Sequence, residues 1–75
     1  MIQPIRFSSK EELYRFSEMA SKENYNIYIS TDVGQLDAKS ILALFTILGT
    51  EVNVVAPDHA NAEQFCAFLE RYANT

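Results

Sequence analysis

Four side chains of this 75-residue chain are the first candidates for covalent or metal chemistry: Ser9 and Ser40 at predicted helix starts, the only histidine, His59, and the only cysteine, Cys66. A serine becomes a nucleophile only beside a general base, and a structural zinc needs about four ligands. No base, second histidine or second cysteine accompanies them at a motif spacing. The sequence therefore predicts no catalytic residue, no metal site and no cofactor, and we do not expect an enzyme.

Ser40 lies in the segment QLDAKSILAL, where a short extended piece runs directly into an apolar helix. A serine at a helix start accepts a backbone N–H, so we expect Ser40 to be the N-cap and Ser40→Ala to cost about 1 kcal/mol. The alternative is that the Ser40 hydroxyl belongs to an exposed recognition surface. The two interpretations predict different hydrogen bonds for the same side chain.

The helix that follows Ser40 is more apolar than a helix with one buried face. Thr46 is the only polar residue in the run ILALFTIL, residues 41–48. We expect one side of this run to enter the core: Leu44, Ile47 and Leu48. The other side would then leave three apolar side chains near the surface: Ile41, Leu42 and Phe45. Such a cluster on a small protein is typical of a docking surface; the alternative is that all three are core residues.

Short strands and helices alternate along the rest of the chain. Strands are predicted at residues 2–7, 25–30, 35–38 and 51–56, and helices at residues 10–22, from Ser40 to about Gly49, and after Pro57-Asp58. Ser8 and Ser9 each precede a glutamate by three residues, the spacing of a capping box. Asp32-Val33-Gly34 predicts a hairpin turn. Pro4 predicts that the first strand either lies at a sheet edge or has an irregular first half.

The last helix carries a predicted apolar stripe along one side. Its members are Ala62, Phe65, Leu69, Tyr72 and Ala73. Among the phenylalanines of this helix, Cys66 is expected to be an inert packing residue. His59 is expected to be an exposed histidine at the helix start.

The element order is β-α-β-β-α-β-α, and each element has one apolar side. Because one sheet and one layer of helices suffice to bury these sides, we expect an α+β open-faced β-sandwich. Its sheet would be four-stranded and antiparallel, with three helices on one face. A chain of 75 residues has room for one such domain, covering residues 1–75.

The chain is acidic: six basic and ten acidic residues give a net charge of −4 and a pI near 4.7. Nucleic acids and anionic membranes are bound mainly by clustered Lys and Arg, so neither is an expected direct partner. No apolar run reaches the ~20 residues of a membrane span, and the start MIQPIRFSSKEEL lacks the apolar core of a secretory signal. With a single cysteine, which fits a reducing compartment, we expect a cytoplasmic protein.

The element order together with the AKSI segment resembles HPr, the small phosphocarrier of the bacterial sugar phosphotransferase system. Residues 20–41, ASKENYNIYISTDVGQLDAKSI, follow that family's pattern of an ASK helix end, strand, tight hairpin, short strand and KSI. Residues 42–56 and the FCAFLERY segment are similar to the family's second helix, fourth strand and last helix. The resemblance implies an HPr-like fold over most of the chain.

The first helix departs from the HPr pattern at the phosphate site. HPr proteins carry phosphate on a histidine in a Gly-x-His-Ala-Arg-Pro segment, where this chain reads FSSKEEL. Counting without gaps places Ser9 at the position of the histidine and Glu11 at that of the arginine. A phosphoserine lacks the transfer potential of phosphohistidine, and a glutamate would repel the phosphate dianion. Because the chain departs from the HPr pattern here, we expect no phosphate transfer through this position.

The resemblance implies a regulatory interaction module, similar to the catabolite-repression HPr-like proteins that lack the active histidine. In HPr proteins the positions matching Ile41, Leu42 and Phe45 dock protein partners, and an HPr kinase phosphorylates the serine matching Ser40 in many members. The implied partners are an HPr kinase, a LacI-type transcriptional repressor or phosphotransferase system proteins. Two alternatives stay open: a working phosphocarrier with a non-standard phospho-acceptor, and a structural domain that self-associates as a homodimer.

Overall fold

The computed structural model describes residues 1–74 and contains the strands and helices in the predicted order. The strands are β1 (Ile2–Arg6), β2 (Tyr28–Thr31), β3 (Gly34–Asp37) and β4 (Glu51–Val55). The helices are α1 (Lys10–Ser21), α2 (Ile41–Leu44) and α3 (Ala62–Ala73), and a 3-10 turn, Phe45–Ile47, directly continues α2. The predicted α+β open-faced fold is confirmed.

One antiparallel sheet holds the strands in the spatial order β1-β4-β2-β3. β1 is an edge strand, as predicted, and its Pro4 pairs with Asn53 of β4. Because proline has no N–H to donate, an edge strand is where it disturbs the sheet least. The β2–β3 hairpin turns into Gly34, whose φ of +139° lies in a region that glycine adopts readily.

The sheet packs one face against the helices. In β4, Val52 and Val54 are buried while the alternating Asn53 and Val55 are half-buried, as expected when successive side chains point to opposite faces. The largest fully buried side chains come from strands, helices and connections: Phe7, Leu13, Phe16, Ile27, Ile29, Leu44, Val54 and Phe68. These side chains form one hydrophobic core between sheet and helices.

Phe16 of α1 joins α1 to α3 and to the residue that follows β1. Its ring meets the rings of Phe7, Phe68 and Tyr72 edge-on, at centroid separations of 5.0, 5.5 and 5.3 Å. Edge-to-face aromatic pairs contribute about 0.5–1.5 kcal/mol each beyond simple burial. This aromatic cluster therefore holds the two long helices in place over the sheet.

The start of α1 is capped by Ser9, as the capping-box spacing predicts. The Ser9 hydroxyl oxygen accepts the N–H of Glu12 at 3.3 Å. The carboxylate of Glu12 accepts the N–H of Ser8, at 3.0 Å, rather than that of Ser9 itself. The reciprocal hydrogen bond of the capping box is thus displaced by one residue.

α3 begins later than the sequence predicts. Its N-cap is Asn61, whose Oδ1 accepts the N–H groups of Glu63 and Gln64 at 2.8 and 3.2 Å. The expected start after Pro57-Asp58 is wrong, because these residues form a turn in which the Ala60 N–H donates to the Pro57 carbonyl.

The buried stripe of α3 also differs from the predicted one. Its members are Phe65, Phe68 and Tyr72. Three residues of the predicted stripe lie outside it: half-buried Leu69 and exposed Ala62 and Ala73. Cys66 is exposed, so its predicted packing role is wrong. Residues 65–69 are all apolar, and a helix of about 3.6 residues per turn can bury only some of them against one neighbour.

Candidate functional site

α2 is a single α-helical turn continued by a 3-10 turn, and it carries both core and surface residues. Leu44 is fully buried and Ile47 is 7% exposed, as predicted for the inward side. The same prediction is wrong for Leu48, which is 39% exposed. Leu48 leaves the helical conformation at φ −59° and ψ 128°, and Gly49 follows at φ +81°. The chain therefore turns away from the core at Leu48.

The three predicted docking residues are not sealed inside the protein, and they differ in exposure. Leu42 is 79% exposed. Ile41 and Phe45 are half-buried and pack against the core. The half-buried pair therefore fixes the position of α2, and Leu42 presents a nearly free apolar side chain beside it.

Tyr14 of α1 extends this apolar surface. Its ring meets the ring of Phe45 edge-on, with centroids 5.8 Å apart and an interplanar angle of 85°, and Tyr14 is 53% exposed. Sequence reasoning missed Tyr14, although an aromatic residue outside the buried stripe of an amphipathic helix was the available signal. Together these four residues form the α1–α2 surface: Tyr14, Ile41, Leu42 and Phe45.

Ser40 occupies the N-cap position of α2, as predicted, but the predicted capping bond is wrong, because its hydroxyl makes no capping hydrogen bond. Asp37 shapes the turn instead. Its Oδ1 accepts the N–H of Lys39 at 2.9 Å, and its carbonyl accepts the N–H of Ser40 at 3.0 Å. Ser40 is exposed, so its side chain is open to solvent next to the first residue of α2.

At the start of α1 lie Ser9 and Glu11, which we expect to correspond to the histidine and arginine of HPr proteins. Ser9 is half-buried and its hydroxyl accepts the N–H of Glu12, whose carboxylate in turn accepts the N–H of Ser8. Backbone N–H groups at a helix start are the groups that hold a phosphate. Here protein oxygens already accept the N–H groups of Ser8 and Glu12, and exposed Glu11 adds negative charge.

Arg15 links α1 to the end of α3. Its Nη2 donates to the carbonyl of Tyr72 at 3.3 Å, and its guanidinium carbon lies 4.5 Å from the centroid of the Tyr72 ring. Burial and then the negative charge of Glu12 raise the pKa of Tyr72, while the positive charge of Arg15 lowers it. A cation facing a neutral phenol ring is a favourable contact between the two helices.

The remaining chemically versatile residues are dispersed. His59 is exposed in the β4–α3 loop and Cys66 is exposed on α3. Within residues 1–74, no three His, Cys, Asp or Glu side chains lie close enough together to hold a metal ion. No helix in that same range has the length and apolar character needed to cross a membrane. The α1–α2 surface is therefore the candidate functional site.

Comparison with known proteins matches the fold rather than the sequence. No family model and no curated protein sequence matches the chain. HPr-C-His from Thermoanaerobacter tengcongensis has a solved structure that matches with a TM-score of 0.70 at 22% identity, over 93% of this chain and 88% of that one. The phosphocarrier protein HPr from Bacillus anthracis str. Ames matches with a TM-score of 0.68 at 21% identity, over 99% of this chain and 93% of that one. The fold of this chain is that of the HPr phosphocarrier proteins.

Proposed function

We propose that this protein is a non-catalytic, HPr-like interaction module related to the bacterial phosphotransferase system. It binds a protein partner in the cytoplasm through the α1–α2 surface. The HPr-like fold supports the relation to this system, and the acidic net charge of −4 favours a protein over a nucleic acid or an anionic membrane as the partner.

The exposure of Leu42 is the observation that carries this proposal. Leu42 is 79% exposed, although Leu44, two residues further along, is fully buried. Moving a leucine side chain from water into an apolar pocket contributes about 1.5–3 kcal/mol. Tyr14 and Phe45 add aromatic rings beside Leu42, and aromatic side chains are enriched in binding interfaces. A partner with an apolar pocket gains this free energy without any rearrangement of the fold.

Phosphate transfer through the start of α1 has less support. The Ser9 hydroxyl oxygen already accepts the N–H of Glu12 as the helix cap. A phosphoryl group on Ser9 would lie next to the carboxylates of Glu11 and Glu12, and like charges at such short range repel each other. A phosphocarrier that uses a different acceptor is the alternative function.

We further propose that phosphorylation of Ser40 regulates partner binding. Ser40 is exposed, its hydroxyl makes no capping hydrogen bond, and it directly precedes the α1–α2 surface residues Ile41 and Leu42. A phosphate would add a charge of about −1.5 to −2 at the border of that surface. An HPr kinase would add this phosphate, and a LacI-type repressor would bind the phosphorylated protein.

Calorimetric titration tests the docking proposal. The wild-type protein is titrated with an HPr kinase and with the phosphotransferase system proteins of the source cell, one at a time. Its Ser40-phosphorylated form is titrated with a LacI-type repressor. Leu42→Asp is expected to weaken binding at least about tenfold, the equivalent of losing about 1.4 kcal/mol. Val33→Asp is the matched control, because Val33 is 96% exposed in the hairpin and receives the same change outside the α1–α2 surface.

Equal binding by wild type and Leu42→Asp would exclude the α1–α2 surface as the docking site. Analytical ultracentrifugation over a concentration series tests the homodimer alternative. If the wild type self-associates and Leu42→Asp does not, a second copy of the chain covers this surface. Unfolding temperatures of both variants close to that of the wild type show that the fold is intact.

Intact-mass spectrometry tests the regulatory proposal. After incubation with an HPr kinase and ATP, the wild type is expected to gain the mass of one phosphate, as is Ser9→Ala, whereas Ser40→Ala gains none. An unmodified wild type would contradict regulation at Ser40. Acid-labile phosphate after incubation with phosphoenolpyruvate and the first enzyme of the system would instead support the phosphocarrier alternative.

A further inference from the structure

A polar cleft lies at one end of the sheet, where three connections meet. It has a volume of about 350 Å³. Its lining residues come from the α1–β2 connection, the turn after β3 and the β4–α3 loop: Glu23, Asn24, Tyr25, Asn26, Lys39 and His59. The Ala38 N–H donates to the Ile27 carbonyl at 3.0 Å, which holds the first two of these connections together.

Tyr25 is the buried member of this cleft. Only 8% of the residue is exposed, and its hydroxyl oxygen is buried with no hydrogen bond of good geometry. Burial, then the negative charge of Glu23 and a hydrogen-bond interaction with the Glu23 carboxylate, raise the pKa of Tyr25 to about 12. The hydroxyl therefore keeps its proton at physiological pH and can donate a hydrogen bond. The Glu23 carboxylate acts on this hydroxyl, but the two form no hydrogen bond of good geometry. A buried donor left without such a bond is rare in folded proteins, because it costs free energy.

Several other polar groups of the cleft can donate hydrogen bonds. Lys39 Nζ donates to Asn26 Oδ1 at 3.4 Å, which leaves the amide NH₂ group of Asn26 for another acceptor. The imidazole of exposed His59 offers an N–H in either of its neutral tautomers.

The one carboxylate of the cleft is already paired. Glu23 Oε2 lies 3.2 Å from Nη2 of Arg71, and the Glu23 side chain is only 16% exposed. Its negative charge is therefore offset from the side of α3. The Tyr25 hydroxyl, the Asn26 NH₂ group and the His59 ring N–H are donors that make no hydrogen bond of good geometry within the described part of the chain, and a ligand for these donors must supply acceptor oxygens.

We infer that this cleft binds a small oxyanion, a phosphate or a carboxylate group. Lys39, His59 and Asn26 would hold it at the rim, and the Tyr25 hydroxyl would donate to it from below. Charge-assisted hydrogen bonds of this kind are shorter and stronger than those between neutral groups. The inference does not depend on the proposed docking function, since the cleft and the α1–α2 surface share no residue.

Nuclear magnetic resonance titration of the full chain tests the inference. The probes are sodium phosphate, sodium acetate and sodium chloride at matched ionic strength. Phosphate or acetate is expected to give saturable shifts of the Asn24 and Asn26 side-chain amides and of the His59 ring, and chloride is expected to give none. The stronger of the two binding probes identifies whether the ligand group is a phosphate or a carboxylate.

Three variants test whether the cleft residues bind the oxyanion. Lys39→Gln is expected to weaken binding about tenfold, as the loss of one charge-assisted hydrogen bond would. Lys10→Gln, which removes the same charge at the other end of α1, is expected to leave binding unchanged. Tyr25→Phe keeps the buried ring and removes only the hydroxyl, so it is expected to weaken binding in a protein that still unfolds cooperatively.

Non-saturating shifts with every salt would overturn the inference, as would equal losses in Lys39→Gln and Lys10→Gln. Unchanged binding by a folded Tyr25→Phe protein would also overturn it, since the buried hydroxyl would then have no part in the site. None of these results bears on docking at Leu42, which is measured separately.

Discussion

The ring of Tyr14 on α1 meets the ring of Phe45 edge-on, at a centroid separation of 5.8 Å and an interplanar angle of 85°. Tyr14 is 53% exposed and Phe45 is half-buried. This contact connects the long first helix to the short segment that follows Ser40. It thereby makes one continuous apolar surface from residues that lie 31 positions apart in the chain (45 − 14).

We expect Tyr14 and Phe45 to be energetically coupled. In a double-mutant cycle with Tyr14→Ala and Phe45→Ala, urea unfolding should give a coupling free energy of about 0.5–1 kcal/mol, typical of an aromatic pair. The same cycle with Tyr14→Ala and Val33→Ala provides a distant control, for which additivity within about 0.3 kcal/mol is expected. Additivity of the first pair would show that the two rings contribute nothing to each other's stability.

The three N-cap residues should respond differently to removal of their side chains. Ser9→Ala and Asn61→Ala should each lower the free energy of unfolding by about 1 kcal/mol, because both side chains accept backbone N–H groups. Ser40→Ala should change it by less than about 0.5 kcal/mol, because the Ser40 hydroxyl makes no capping bond. Chemical denaturation of the three variants measures the difference. A loss of about 1 kcal/mol at Ser40 would mean that its hydroxyl caps α2 in solution.

Tyr25 should make the stability of the protein depend on pH in the alkaline range. Its pKa is raised from 10.0 to about 12, first by burial and then by the charge of Glu23. The folded protein therefore holds this proton more tightly than the unfolded chain, and folding is favoured while the phenol is neutral. The contribution is complete below pH 10.0 and is lost as the pH rises toward about 12.

Urea unfolding at several alkaline pH values measures this loss. Tyr25→Phe should reduce the decrease in stability over that range, because phenylalanine has no proton to lose. A spectroscopic titration in which every tyrosine of the native protein ionises at the pKa of free tyrosine would contradict the prediction.

Cys66 should react as an exposed thiol. A maleimide reagent is expected to label the native protein at a rate close to that of the urea-unfolded chain, because Cys66 is exposed on α3. Cys66→Ala should change the free energy of unfolding by less than about 0.5 kcal/mol. By contrast, Phe68→Ala should cost about 3–5 kcal/mol, since Phe68 is fully buried two residues away. If labelling required prior unfolding, Cys66 would be buried in the folded protein, contrary to this prediction.

Local signals along the chain predicted the fold well. The serine and glutamate spacing located the start of α1, the hairpin formed at Asp32 and Val33, and Pro4 lies on an edge strand. Each of these signals acts within a few residues, through a hydrogen bond, a backbone dihedral angle or a missing N–H. Such preferences exist in the isolated sequence, so they can be read from it.

The orientation of apolar runs was harder to predict. Residues 41–48 have one polar residue and residues 65–69 have none, so neither run marks which side of its helix faces inward. The prediction was wrong for Leu48 and Cys66, both of which are exposed, and it omitted Phe68 from the buried stripe of α3. A pattern without polar residues has no periodicity from which a buried face can be derived.

Contacts between distant segments could not be predicted from the residue pattern. Tyr14 joins Phe45, and residues 23–26, Lys39 and His59 form one cleft, only because the sheet brings their separate elements together. The amino-acid pattern determined the kind and order of the helices and strands and the start of α1, because those depend on neighbouring residues. Packing decided which apolar side chains form the α1–α2 surface, because side chains compete for one core and the excluded ones remain outside.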